Sequence, residues 1–276
     1  MSFAGEVKAE LCRGKLGRKC CAQAEACGVL LYCNRFSLSE VKIVTESPAF
    51  AQRLPGLFRK AFGVEFDEKG DPDTPGKRIF TISAPEKLAL LWELCAFDPS
   101  GPAHHINFGM LEETHCRLAF LRGAFLAGGS VTDPQKGYHL ELATTHLRVS
   151  RELDTLLLEL GYAPKETTRK ANYITYFKQS EAIEDLLTAI GAPVSAMELM
   201  NAKAEKLLGS TAGSTVRPPM WTRPWTPPWS SAGPSRFCGT GGPWRPSPPS
   251  FGRPPSFGRP TLSSPWPSWP PCASPL

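Results

Sequence analysis

The chain has 276 residues and a formal net charge of +5, enough length for one large domain or two small ones. That charge misleads. Six of the 31 basic residues are arginines within 209–276, which holds no lysine and no acid, so 1–208 carries 25 basic against 26 acidic side chains and any charge argument for nucleic acid has to be local. No apolar run reaches the roughly 20 residues of a membrane span, and the opening "MSFAGEVKAEL" has acids but no apolar leader core, so a cytoplasmic protein is expected.

In chain order, 1–13 and 18–32 predict two helices. "RFSLSEVKIVTES" (35–47) predicts a short strand pair that ends on a helix-start signal. "PAFAQRLPGLFRKAFG" (48–63) is an amphipathic helix with Pro at its start and Gly at its end. "VEF" (64–66) and "RIFTIS" (78–83) predict strands around a "KGDPDTPGK" turn, followed by a helix over 85–97. The turn-rich "DPSGPAHHINFGM" (98–110) is a connector.

The same order then recurs: a helix over 116–129, a strand over 138–145, a helix over 147–162, a strand over 171–179 and a helix over 180–192. Gly28 matches Gly123, and Ser83-Ala84-Pro85-Glu86 matches Lys178-Gln179-Ser180-Glu181, each 95 residues on. The expected fold class is α+β, a duplicated α-β-β-α-β-β-α unit packed as one pseudo-symmetric domain. That period is too long for a solenoid. The boundaries are 1–110 for the first repeat with its N-terminal helix and linker, 111–195 for the second repeat, and 196–208 for the start of a linker helix. A Pro/Trp/Arg-rich tail, 209–276, is expected to be disordered.

Nine cysteines are present, and five (Cys12, Cys20, Cys21, Cys27, Cys33) cluster early. The intervening gaps of 7, 0, 5 and 5 residues do not give the paired C-x2-C spacing of a zinc site, so unpaired thiols, no metal and no cofactor are expected. His104, His105 and His115 stand at no telling distance from a nucleophile or carboxylate and are read as linker and helix-start residues.

"LRGAFLAGG" (121–129) resembles the nonapeptide of the LAGLIDADG homing-endonuclease fold, in which two such helices pack along a pseudo-two-fold axis. Gly123 and Ala127 are small enough for close helix approach, and "ACGVLLYCN" (26–34) is the partner, with Gly28 as the equivalent small residue. In nucleases of that fold the eighth motif position is an acid that holds a divalent metal. Here the two copies carry Cys33 and Gly128, and a hard cation needs oxygen ligands that neither supplies. No catalytic residue is expected; Asp133, the nearest acid, falls in a turn.

Across 1–208 the chain resembles the WhiA family of bacterial sporulation and cell-division regulators. The resemblance rests on "MSFAGEVKAEL" (1–11), "HCRLAFLRGAFLAGGSVTDP" (115–134), "YHLELATT" (138–145), "RKANYITYFKQSEAIEDLLTAIGA" (169–192) and "MELMNAKAEK" (197–206). It implies a degenerate nuclease-like domain joined to a C-terminal helix-turn-helix that does most of the DNA binding. The expected partners are promoter DNA, bound more weakly by this chain for want of a readable helix-turn-helix, and another transcription regulator, with no membrane. Candidates for DNA-backbone contact are Arg13, Lys15, Arg18, Lys19, Lys165, Arg169 and Lys170. The competing readings are a LAGLIDADG-type DNA endonuclease and a protein-interaction module, the latter on the P-x-x-P spacing of "RPSPPSFGRPPSFGRP" (245–260).

No helix-turn-helix can be read in 209–276. A frame shift near residue 207 accounts for that. Shifted codons take the third base of one residue and the first two of the next. Every Trp-Thr then gives Asp, and every Pro-Trp gives Leu, Met or Val. "MWTRPWTPPW" (220–229) permits a string with apolar residues at i, i+4 and i+8, a helical stripe.

Overall fold

The computed structural model describes residues 2–71, 76–97 and 103–212, with side chains as far as Leu208. Of the expected tail, 209–276, residues 209–212 are helical and 213–276 lie outside the described residues, as do residues 72–75 of the "KGDPDTPGK" turn.

Helix α1 (Phe3–Arg13) leads into the first repeat: α2 (Lys19–Tyr32), β1 (Arg35–Phe36), β2 (Val41–Thr45), α3 (Pro48–Phe62), β3 (Glu68–Lys69), β4 (Arg78–Ile82) and α4 (Pro85–Leu94). After a 3-10 turn at Phe108–Met110, the second repeat runs α5 (Thr114–Gly128), β5 (Gly129–Val131), β6 (Leu140–Thr144), α6 (Leu147–Glu159), β7 (Lys165–Arg169), β8 (Asn172–Phe177) and α7 (Ser180–Ile190). Helix α8 (Pro193–Ala212) follows. Each repeat folds its four strands into one antiparallel sheet with equivalent order, β1-β2-β4-β3 and β5-β6-β8-β7. The duplication read from the sequence is therefore a duplication of topology.

Local signals explain the boundaries. The Ser47 hydroxyl accepts from the Phe50 amide at the start of α3, Pro48 occupies the first turn, and Gly63 at φ 73° ends the helix in the left-handed region. Strands β2 and β6 each alternate buried and half-buried residues, so one face of each sheet packs inward and the other faces away. Thr45 and Thr144 end these strands alike, each hydroxyl accepting from the backbone amide two residues on. The inward faces pack Val41, Ile43, Phe80, Leu140, Leu142 and Phe177 against α3, α6 and the two central helices in one continuous core.

Several elements depart from expectation. "VEF" (64–66) is no strand; β3 forms further on, where Glu68 pairs with Thr81. Val64 and Phe66 are apolar because they fill the core beneath α3, with Phe66 set 4.6 Å from Phe58 and 5.3 Å from Phe80, ring centre to ring centre. Helix α4 stops at Leu94, and Ala96 turns the chain at φ 52°. Gly129 ends α5 and opens β5, a strand the sequence did not announce. All five residues of β7 are exposed, so no apolar alternation marks it. Helix α6 stops at Glu159, and α8 begins at Pro193, three residues before the anticipated linker helix.

Candidate nucleic-acid interface and the helix seam

Helices α2 and α5 form the centre of the molecule, and glycine sets their separation. A Cβ built on Gly123 would lie 1.9 Å from the Glu25 carbonyl oxygen, and one on Gly28 would lie 2.3 Å from that of Phe120. Only hydrogen fits at either crossing. Ala127 is half-buried against the core and also lines a depression with Ser2, Ala4 and Gly5 at the start of α1. The seam also carries a buried ion cluster. Glu25, 1% exposed, accepts from Arg53 through both carboxylate oxygens (2.7 and 3.1 Å), and Arg122 approaches to 3.5 Å. Arg53 also donates to the Cys12 and Gly14 carbonyls, tying the end of α1 to the seam.

The end of the seam nearest the sheets is where a nuclease of this architecture would hold its metal. Here it is closed. Gly128 has no room for a side chain, since a Cβ would stand 2.5 Å from the Ala143 carbonyl oxygen and 3.0 Å from the Tyr32 ring. Cys33 is buried, and its thiol donates to the Leu30 and Arg35 carbonyls at 3.1 Å. Burial pushes that thiol up to about 12, so it stays protonated at neutral pH and offers no anion to a cation. Thr144 donates to the Leu31 carbonyl at 3.0 Å and closes the same space from β6. Asp133 is a turn residue whose carboxylate accepts from the Gln135 amide.

The seven basic candidates separate into two groups. Lys165, Thr167 and Arg169 share one face of β7 and pair across to Tyr176, Ile174 and Asn172 of β8. Glu166 points to the opposite face, where its carboxyl meets Asp154. Lys170 makes the β7–β8 turn at φ 56°. Lys178, which the sequence reading did not single out, lies 5.4 Å over the Tyr176 ring on this outward face. The first sheet offers Arg35 and Lys42, paired in register on its own outward face. Arg13, Lys15, Arg18 and Lys19 are all exposed and lie outside the strands. They flank the start of α2, whose 14 residues span about 20 Å before the chain reaches β1.

The histidines also take definite places. His104 stacks on Phe36 (4.7 Å between ring centres), approaches the Phe36 carbonyl at 3.1 Å and meets His146 edge-on at 4.5 Å. Burial holds His104 below its usual range, and burial with the neighbouring His104 brings His146 down to about 4. His115 starts α5, as read, but it stands beside cysteines from both helices. Sequence distance hid that arrangement, because 94 residues separate Cys21 from His115. Among the described residues no helix is long and apolar enough to cross a membrane.

Two pseudo-symmetric helices crossing on glycines, each followed by a four-stranded antiparallel sheet, define a LAGLIDADG-type fold. Known proteins agree. The model of the WhiA LAGLIDADG-like domain matches residues 117–207. A Ruminiclostridium cellulolyticum protein named probable cell division protein WhiA is 36% identical over 219 residues, covering 75% of this chain and 69% of its own. One of the same name from Clostridium botulinum strain Hall is 33% identical over 221 residues, covering 75% and 70%. Among solved structures, full-length WhiA from Thermotoga maritima gives a TM-score of 0.60 at 20% identity, over 77% of this chain and 73% of its own. The N-terminal LAGLIDADG domain of a WhiA gives 0.55 at 21%, over 69% and 90%. The chain belongs to the WhiA family.

Proposed function

We propose that this chain is a non-catalytic, DNA-binding transcriptional regulator acting in bacterial cell division, chromosome segregation or sporulation. In this reading it works in the cytoplasm at the nucleoid, on promoter DNA and with another transcription regulator. The observation that carries the non-catalytic part is the closed seam: Gly128 has no space for an acid, and Cys33 is a neutral, internally bonded thiol. What supports DNA as partner is the outward sheet face, with Lys165, Arg169, Lys170 and Lys178 on one hairpin and Arg35 and Lys42 on the other sheet. Cations on a broad β surface neutralise phosphates without reading bases, so they position a duplex rather than choose its sequence.

The test is fluorescence anisotropy with duplex promoter DNA across a salt series. The triple variant Lys165→Ala/Arg169→Ala/Lys170→Ala should bind about tenfold more weakly or worse, with a salt slope shallower by roughly one for each phosphate no longer neutralised. Unchanged affinity and slope would rule out the sheet face as the interface. A weakening seen only on replacing Arg13, Lys15, Arg18 and Lys19 would move the interface to the other end of α2. In parallel, supercoiled plasmid with Mg²⁺ or Mn²⁺ should stay uncut; metal-dependent nicking abolished by a point change at the seam would restore the endonuclease reading.

A further inference from the structure

The end of the α2–α5 seam opposite the closed nuclease site holds a second constellation. Cys20 and Cys21 are the second and third residues of α2, and His115 and Cys116 are the second and third of α5. The two pairs are 95 residues apart, the same offset that relates Gly28 to Gly123, so they are symmetry-equivalent positions of the repeat. Their four ligand atoms all lie within 4.8 Å of one another. His115 Nδ1 lies 3.4 Å from Cys21 Sγ and 3.2 Å from Cys116 Sγ, so the ring faces a sulfur from each helix.

We propose that Cys20, Cys21, His115 and Cys116 form a tetrahedral zinc site that clamps the N-terminal ends of α2 and α5 together. Three sulfurs and one imidazole nitrogen are a soft, four-member donor set of the kind that selects zinc in closed structural sites. A tetrahedron with zinc–sulfur bonds of about 2.3 Å places sulfurs about 3.8 Å apart. Separations of no more than 4.8 Å lie within side-chain rotation of that spacing, and Cys20 and His115 are exposed beside a buried Cys116. Zinc binding displaces the thiol protons to solvent and forms four metal–ligand bonds, with no oxidant or reductant involved. The result is a molecule fastened at one end by metal, in the middle by glycine contact and at the sheet end by Tyr32 and Thr144.

The experiment uses the full 276-residue chain purified in reducing buffer. Zinc is measured by inductively coupled plasma mass spectrometry, and the apo protein is titrated with Co²⁺. The expected result is one zinc per chain and a tetrahedral cobalt spectrum with thiolate charge-transfer bands. Cys20→Ser and His115→Ala should each bind at least about tenfold more weakly. His115→Cys, which keeps four soft donors, should retain stoichiometric metal, as should Cys238→Ser/Cys272→Ser in the tail. Circular dichroism on each variant separates loss of metal from loss of fold. A strong chelator should lower the Tm of the wild type by several degrees and leave His115→Ala unmoved. Substoichiometric zinc after equilibration, unchanged Co²⁺ affinity in the Cys20→Ser and His115→Ala variants, or a disulfide joining Cys116 to Cys20 or Cys21 under these conditions would each overturn the site.

Discussion

At the scale of single residues, the seam is governed by the side chains that glycine does not have. Gly123 presses its α-hydrogens on the Glu25 carbonyl, and the obstacle is helix backbone, which cannot rotate away. Gly123→Ala should therefore destabilise by about 3 kcal/mol or more even though alanine is the better helix former. Urea unfolding would show it, and a variant as stable as the wild type would mean that the helices part without cost. Glu25 makes the complementary point. Its carboxylate is buried and answered by Arg53 and Arg122, so Arg53→Met leaves charge without its main partner and should cost about 3–5 kcal/mol. Adding Glu25→Gln should recover part of that stability; no recovery would show that Arg53 acts through its Cys12 and Gly14 carbonyl contacts instead. The glycines were legible in the sequence because the repeat places them at one offset. Glu25 was not, because a glutamate on a helix reads as solvated until its arginine, 28 residues on, is brought beside it.

At the scale of elements, α6 meets its sheet through a buried carboxyl as well as through its apolar face. The Asp154 carboxyl is 9% exposed, accepts from Thr175 at 3.0 Å and faces the carboxyl of Glu166 on β7. Burial first, then that second carboxyl, raise it from the ordinary 3.8 to about 7. The native state thus holds a proton through a window in which the unfolded chain has already released it. The stability this contributes is present at acid pH and is lost as pH rises from about 4 through about 7. Asp154→Asn keeps an acceptor for Thr175 and cannot ionise. Its stability advantage over the wild type should grow by about 1 kcal/mol or more between pH 5 and pH 8, as read by urea midpoints. An advantage that is flat with pH would mean that Asp154 ionises freely in the fold. This contact also shows why β7 escaped the sequence reading. "KETTR" is polar on both faces: one faces outward, and the other meets α6 through Glu166 rather than through an apolar side chain. Strand β3 was misplaced for the opposite reason. Val64 and Phe66 supplied the alternation of a strand while serving as core under α3. The cysteine–histidine cluster escaped because its ligands come from two repeats, and local spacing within either one carries no sign of it.

At the scale of the whole molecule, the segment beyond residue 208 bears on the proposed regulatory function. The match to the WhiA LAGLIDADG-like domain ends at residue 207, and the composition changes just beyond, where lysines and acids cease and tryptophans and prolines crowd in. A shifted reading frame from about that codon would account for the coincidence with a single event, since Trp-Thr pairs would become aspartates and Pro-Trp pairs aliphatic residues. The encoding DNA must then meet one demand: the alternate frame from codon 207 onward stays open and encodes two amphipathic helices separated by a turn. An early stop in that frame would end the idea. Where the frame is open, a single-nucleotide correction should yield a chain that binds promoter duplex about tenfold more tightly or better at physiological salt, with a steeper salt dependence from the added phosphate contacts. Equal affinity of the corrected and present chains in an electrophoretic shift assay would instead place all of the DNA binding within 1–208.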